Sequence, residues 1–256
     1  MTAEAIAAEL LEAYATLEPV EPLTARFPGL TIDDAYAIQL VQVGRWTADG
    51  ATVIGHKVGL TSAAMQQMLG IDQPDYGHLR DDMLYEGGAE VRAAGFIQPR
   101  AEPEIGFVLK TQLAGPGVTL EDAAEAVGAV VPALELIDSR IRDWKIGLLD
   151  TIADNASSGA FVLGDRVEPK GLDLAGIDCS LSLRGDVVET GDGAAVLGNP
   201  LAAVAWLANT LAGRGIALEA GHVVLPGACT RAIPVDVGDT VEAVFEGLGT
   251  VKVSFV

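Results

Sequence analysis

A chain of 256 residues, half of them apolar and 30 of them glycine, is long enough for one large core or two small ones and reads as globular and turn-rich. Thirty-six acids against 16 bases give a net charge of −20, which excludes nucleic acid and anionic membrane as partners because no basic stripe exists to neutralise phosphates. Cys179 and Cys229 lie far apart with no CxxC spacing, so neither a disulfide framework nor a zinc knuckle is expected.

Residues 4–17 fit a helix with Ile6, Leu10, Tyr14 and Leu17 on one face, and its acids and lack of a basic stretch distinguish it from a signal peptide. A second helix follows Thr31, where Thr31 and Asp34 resemble a capping box and Ile32, Tyr36, Leu40 and Val43 form the stripe to be buried. Residues 1–50 are thus a helical lead-in to a larger unit over 51–256. The run 52–62 reads as a strand ending at Gly59, with Lys57 inside it and a cap at Thr61 or Ser62 for a short helix holding Met65, Met68 and Leu69. Residues 72–77, Asp-Gln-Pro-Asp-Tyr-Gly, form a turn by composition.

From about residue 90 the texture changes to short strands and glycine turns with two clear helices. Thr119 and Asp122 cap the first, TLEDAAEAVGAV; the second runs from the Asn199 cap and Pro200 to Gly213. Strands are expected at 105–109, 128–137, 160–164, 178–184, 222–226 and 240–256. Long helices segregated from many short strands indicate an α+β fold with a mostly antiparallel core. No apolar run approaches the roughly 18 residues of a membrane span, and a cytoplasmic protein is expected.

Glu102 and Glu104 lead into the strand at 105–109. Two apart on a strand, they face the same side about 7 Å apart at their Cα atoms, and at the mouth of an apolar strand they repel each other unless a cation lies between them. A solvated edge strand is the alternative, and Pro103 suits one. Glu135 is a third acid inside an apolar run, and three carboxylates from two strands would suit Mg²⁺ or Mn²⁺. Lys57 and Asp75 are either a structural ion pair or a proton-transfer pair, with the Lys57 pKa lowered by burial and by a nearby cation. The polar loop 154–159 offers hydroxyl and amide groups to a small ligand. Gly191-Asp192-Gly193 has Val196 where a dinucleotide fingerprint needs glycine, so no nucleotide cofactor is indicated.

The series GHKVGLTS at 55–62, QPDYG at 73–77, QPRAEPEIGFVL at 98–109, ALELIDSRIRDW at 133–144 and DTIADNASSGAFVLG at 150–164 resembles the hydratase and decarboxylase branch of the fumarylacetoacetate hydrolase superfamily. LGNPLAAVAWLANTL and VVLPGACTRAIPV extend the resemblance over nearly the whole chain. It implies a mixed β-sandwich or roll behind the helical lead-in. It implies Glu102, Glu104 and Glu135 as ligands of Mg²⁺ or Mn²⁺, Lys57 and Asp75 as catalytic residues, and substrate contacts from Leu60, Thr61, Asn155 and Ser158. Thr230 stands in for a hydroxyl that Pro226-Gly227-Ala228 lacks.

The activity so implied is addition of water to 2-hydroxypenta-2,4-dienoate, through its 2-oxo tautomer, to give 4-hydroxy-2-oxopentanoate, within ring-cleavage catabolism of aromatic compounds. A 2-oxo acid chelating the metal also explains how an anion enters so acidic a protein. Decarboxylation of 2-oxo-3-hexenedioate needs nearly the same residues plus a counter-charge for a second carboxylate, for which Arg140 or Arg142 is available in sequence although both read as structural. The third reading is a non-catalytic scaffold subunit. The resemblance further implies a homo-oligomer and a complex with a pathway decarboxylase, and a mean hydropathy of +0.34 points the same way.

Overall fold

The computed structural model describes residues 2–62, 66–67, 71 and 73–256. The short helix expected around Met65, Met68 and Leu69, and Asp72 of the expected turn, lie outside the described residues. The strands are β1 (Val53–Gly59), β2 (Asp75–Arg80), β3 (Leu84–Glu86), β4 (Ala89–Val91), β5 (Arg100–Leu109), β6 (Val127–Ile137) and β7 (Ser158–Leu163). They continue with β8 (Asp178–Leu183), β9 (Asp186–Asp192), β10 (Val223–Leu225), β11 (Ile233–Pro234), β12 (Thr240–Phe245) and β13 (Gly249–Phe255).

One sheet runs β2-β1-β10-β5-β6-β7-β3 with β11 added to β5, and the other runs β4-β13-β12-β8-β9. Among the described strands only β1–β10, β3–β7 and β4–β13 pair in parallel, so the α+β reading with a mostly antiparallel core holds. The larger sheet curls until β2 touches β7. Its concave face carries a small apolar cluster that includes Leu79, Val108, Val131, Phe161 and Leu225, while its other face shares one large core with the helices and the second sheet.

The N-terminal helices form for the expected reasons and present partly different faces. The helix Ile32–Ala48 starts on the predicted capping box, with the Asp34 N–H donating to the Thr31 hydroxyl (3.2 Å) and the Thr31 N–H to the Asp34 carboxylate (3.0 Å). Its fully buried face is Ala35, Tyr36, Ile38, Gln39 and Gln42 rather than the predicted Ile32, Tyr36, Leu40 and Val43. The rotation brings two glutamine amides inward. Gln39 donates to the carbonyls of Tyr76 (2.9 Å) and Ile152 (2.8 Å), and Gln42 to Ala153 (2.7 Å), which ties β2 to the Leu148–Ala153 helix.

Three further expectations are corrected. Asp75, Tyr76 and Gly77 begin a wholly buried strand instead of completing a turn, because Asp75 pairs with Gly59 and the Tyr76 ring stacks on Tyr36 at 4.5 Å. The capped helix at Thr119 stops at Ala126, where the β-branched run from Val127 takes over as β6. The stretch 240–256 is a hairpin, β12 and β13, turned through Gly247. The Leu148–Ala153 helix and strand β9 had no counterpart in the sequence reading. Gly193–Ala212 does reach span-like apolarity, with mean hydropathy 1.3. Its helical part, Pro200–Ala212, buries Leu201, Val204, Leu207 and Leu211 in the core.

All three histidines stand together on the convex face. His56 pairs with His78 across β1 and β2, with ring centroids 4.8 Å apart, and His222 lies 5.8 Å from His56. Neither His56 nitrogen has a hydrogen-bond partner. Burial holds His56 well below the usual histidine range and His78 down to about 4. The folded protein therefore binds fewer protons than the unfolded chain between about pH 4 and 6.5, and stability must fall as pH drops through that window. His78 alone should cost about 2 kcal/mol by pH 5. Urea unfolding at pH 7.5 and 5.0 checks this: His78→Gln should lose about that much less than wild type, and parallel losses would show that His78 is not held neutral.

Candidate active site

The site begins with the register of β5 on β6. Glu102 stands directly opposite Glu135, and Glu104 is one same-face step further along β5. One oxygen from each of the three carboxylates lies within 4.8 Å of the others. β5 is a central strand, so the edge-strand alternative is overturned. Pro103 is tolerated because β10 pairs only at 107–108 and β11 only at 100–101. The intervening flank is covered by the loop 226–229, whose Cys229 N–H donates to the Pro103 carbonyl (2.9 Å).

Glu104 and Glu135 are completely buried, and Glu102 is half-buried at the mouth. Burial, followed by the repulsion of Glu135, pushes Glu102 up to about 7 and Glu104 well above the carboxylate range; burial also raises Glu135. Glu104 accepts one hydrogen bond, from the Gly227 N–H at 2.7 Å, while among the described residues its other oxygen and both oxygens of Glu135 have no hydrogen-bond donor. Buried, mutually repelling carboxylates with open lone pairs and only oxygen donors fit a hard divalent cation, which is what would let all three ionise.

Gly227 stands out in sequence only as part of Pro226-Gly227-Ala228, with no sign of its bond to Glu104, and its location explains why it must be glycine. Its φ is +124°, and a Cβ there would stand 2.1 Å from Thr61 Oγ1. The chain thus threads between the buried Thr61 and Glu104. Leu60, at the exit of β1, takes φ 57° to bring Thr61 in.

Lys57 projects from β1 onto the same concave face, its ammonium 3.3 Å from Glu135 Oε1 and almost sealed from water. Burial alone would lower its pKa, but the charges of Glu135, Glu102, Asp75 and Glu104 outweigh burial and raise it. The expected lowering is therefore reversed while those acids are uncompensated. Among the described residues Asp75 has no hydrogen-bond donor on either oxygen, and burial raises it. A Cβ at Gly59 would lie 2.3 Å from Asp75 Oδ1 and 3.6 Å from Lys57 Nζ, so this glycine makes room for both side chains. Lys57 makes its ion pair with Glu135, and among the described residues none joins it to Asp75.

The expected ligand loop does structural work. Asn155 clamps β2, accepting from the His78 N–H (2.8 Å) and donating to the His78 carbonyl (3.0 Å), and Ser158 donates to the Asn155 carbonyl (2.8 Å). Asn155, Ala156 and Ser157 are all left-handed, with φ between 52° and 54°. The Ser158 hydroxyl and the Asn155 carbonyl border the concave face at Gly77, where a Cβ would meet them at 2.9 and 2.4 Å. Thr230 faces β9, its hydroxyl donating to the Arg231 carbonyl (3.1 Å) and its methyl 3.2 Å from where a Gly191 Cβ would stand.

Both arginines read as structural are occupied. Arg140 is buried, with Nε 2.6 Å from Asp154 Oδ1, and Arg142 pairs at the surface with Glu21 at 2.7 Å.

Comparison with known proteins matches these features. Residues 51–256 match the model of the fumarylacetoacetate hydrolase C-terminal family. A 2-hydroxyhexa-2,4-dienoate hydratase of Comamonas testosteroni is 48% identical over 249 residues, 96% of this chain and 94% of that one. A 2-keto-4-pentenoate hydratase of Paraburkholderia xenovorans (strain LB400) is 45% identical over 253 residues, 98% and 94% of the two chains. Among solved structures, 4-oxalocrotonate decarboxylase from Pseudomonas putida G7, complexed with magnesium and adipate, superposes with a TM-score of 0.96 at 38% identity, covering 99% of this chain and 97% of that one. With its family model, its full-length relatives and its three clustered glutamates in agreement, the chain belongs to the fumarylacetoacetate hydrolase family.

Proposed function

We propose that the protein is a metal-dependent hydratase that adds water to 2-hydroxypenta-2,4-dienoate to give 4-hydroxy-2-oxopentanoate. The observation that carries the reading is Lys57 and Asp75 beside three clustered glutamates, two of them fully buried with unfilled lone pairs, in a chain 45% identical to a 2-keto-4-pentenoate hydratase along nearly its whole length. Glu102, Glu104 and Glu135 would hold Mg²⁺ or Mn²⁺, which supplies Lewis acidity at the 2-oxo group of the bound acid.

The chain's own residues handle the protons. Ketonisation moves the proton of the 2-hydroxyl to C5 and leaves a 3,4 double bond conjugated with the 2-oxo group; hydroxide then adds at C4 and a proton at C3. Lys57 Nζ, held on the concave face 3.3 Å from Glu135 Oε1, is the donor to carbon. Asp75, with two open oxygens and a carboxyl raised by burial, takes the proton from the water that adds. The closed apolar wall of Val131, Phe161 and Leu225 keeps other water out.

The engagement of Arg140 and Arg142 favours this reading over decarboxylation of a diacid. Both are engaged with protein carboxylates, so neither is available to neutralise a second substrate carboxylate. Homo-oligomeric assembly and a cytoplasmic location belong to the same proposal. Val187 (61% exposed) and Val188 (44% exposed) leave an apolar edge on β9 for another copy to cover.

Ultraviolet absorbance of freshly generated 2-hydroxypenta-2,4-dienoate, followed with and without Mg²⁺ or Mn²⁺, tests the function. The expected result is metal-dependent loss of the dienoate with formation of 4-hydroxy-2-oxopentanoate, and a drop of at least about 100-fold in Lys57→Met. Consumption of 2-oxo-3-hexenedioate alone, with release of CO₂, would replace the hydratase by the decarboxylase.

A further inference from the structure

Arg100 opens β5 two residues before Glu102, on the same face of the strand and about 7 Å from it at the Cα atoms. It is half-buried, and its guanidinium carbon lies 4.6 Å from the centroid of the Trp144 ring. Among the described residues no carboxylate lies within ion-pairing distance of it. Trp144 is itself fixed in place. Asp143 and Trp144 are both left-handed, φ 58° and 54°, and the indole N–H donates to the Gln98 carbonyl at 3.0 Å. The guanidinium is therefore propped on an aromatic face, a placement that keeps its five donors free, instead of being neutralised as Arg140 and Arg142 are.

The charge of the site gives this placement a purpose. Glu102, Glu104, Glu135 and Asp75 are four carboxylates set against Lys57 and one divalent ion, which leaves one negative charge before any substrate arrives. The net −20 of the chain adds to the repulsion. A 2-oxo acid has to approach through that field, and Arg100 is the cation that brings the mouth to neutrality. We propose that Arg100, seated on Trp144, is the binding residue that receives the substrate's C1 carboxylate at the mouth of the site. The hydratase reading enters only as the identity of the acid.

Calorimetric titration of the Mg²⁺-loaded protein with pyruvate, a 2-oxo acid with no carbon–carbon double bond to hydrate, tests the contact separately from turnover. Arg100→Gln should weaken pyruvate binding about tenfold, as loss of a charge-assisted contact does, and raise KM for the dienoate by a similar factor with kcat nearly unchanged. Arg100→Lys should recover part of the loss, and Trp144→Leu, which removes only the seat, should fall between wild type and Arg100→Gln. Mg²⁺ affinity measured without pyruvate should not weaken in any of them.

Wild-type pyruvate affinity in Arg100→Gln, or no pyruvate binding by wild type, would overturn the assignment. So would Mg²⁺ affinity falling in step with pyruvate affinity, or a KM effect confined to the diacid 2-oxo-3-hexenedioate, which would place Arg100 at a distal carboxylate. A wild type inert toward the dienoate whose pyruvate binding still depends on Arg100 would sink the hydratase reading and leave this one standing.

Discussion

Glu104→Gln is expected to abolish dienoate turnover and to weaken Mg²⁺ or Mn²⁺ binding by more than roughly 100-fold, beyond what loss of an outer-shell partner costs. The substitution keeps the shape of the side chain and leaves a carbonyl oxygen to accept the Gly227 N–H, now 2.7 Å from Glu104 Oε2. What it removes is one of three buried charges that repel each other. In the presence of chelator the variant should therefore unfold at or above the wild-type temperature, which separates a lost ligand from a damaged fold. Metal titration, thermal unfolding in chelator and the absorbance assay read the three quantities. A variant that binds metal and turns over dienoate within a few-fold of wild type would show that the cation is held elsewhere.

These carboxylates were legible in the sequence because the strand period and the apolar surroundings are both local facts. An acid two residues from another on one strand, and a third inside an apolar run, admit few explanations other than a cation, and the register of β5 on β6 does bring them together. The less legible parts of the site depend on pairings between distant segments. The Gly227 N–H reaches Glu104 across 123 residues, and Asn155 reaches His78 across 77. Composition gives no sign of either. Asn155 and Ser158 look like ligands for a small molecule because polar side chains in a loop usually face solvent; what the sequence does not show is that Asn155 also satisfies the buried backbone of β2 and that Ser158 donates to the Asn155 carbonyl while bordering the concave face. The Asp75 to Gly77 segment fails for a related reason. Its composition announces a turn, but Gly77 is there because a side chain would strike the Asn155 carbonyl, and Asp75 because it faces Gly59.

Arg140→Leu is expected to destabilise the protein by roughly 3–5 kcal/mol in urea unfolding, because it strands a buried charge. Asp154 is fully buried and, even with Arg140 beside it, burial pushes its carboxyl up to about 6. It accepts from Arg140 Nε at 2.6 Å and from the Arg140 backbone N–H at 2.9 Å, and the guanidinium also lies 4.1 Å from the Tyr14 ring centroid and 3.7 Å from Asp138. Asp138 in turn accepts from the N–H groups of Ile97 (3.0 Å) and Gln98 (2.7 Å), which lead into β5. One arginine therefore ties together the first helix, the approach to Glu102 and the loop holding Asn155. Removing both charges as Arg140→Met with Asp154→Leu should recover most of the lost stability, since a buried pair is worth little more than well-packed apolar groups. Turnover should remain depressed in that double variant, because Asp154 adjoins Asn155, whose clamp on His78 sets the position of β2 and of Asp75 at its start. Full recovery of both would reduce the network to a packing element. Recovery of stability alone would show that its charges position the catalytic strands.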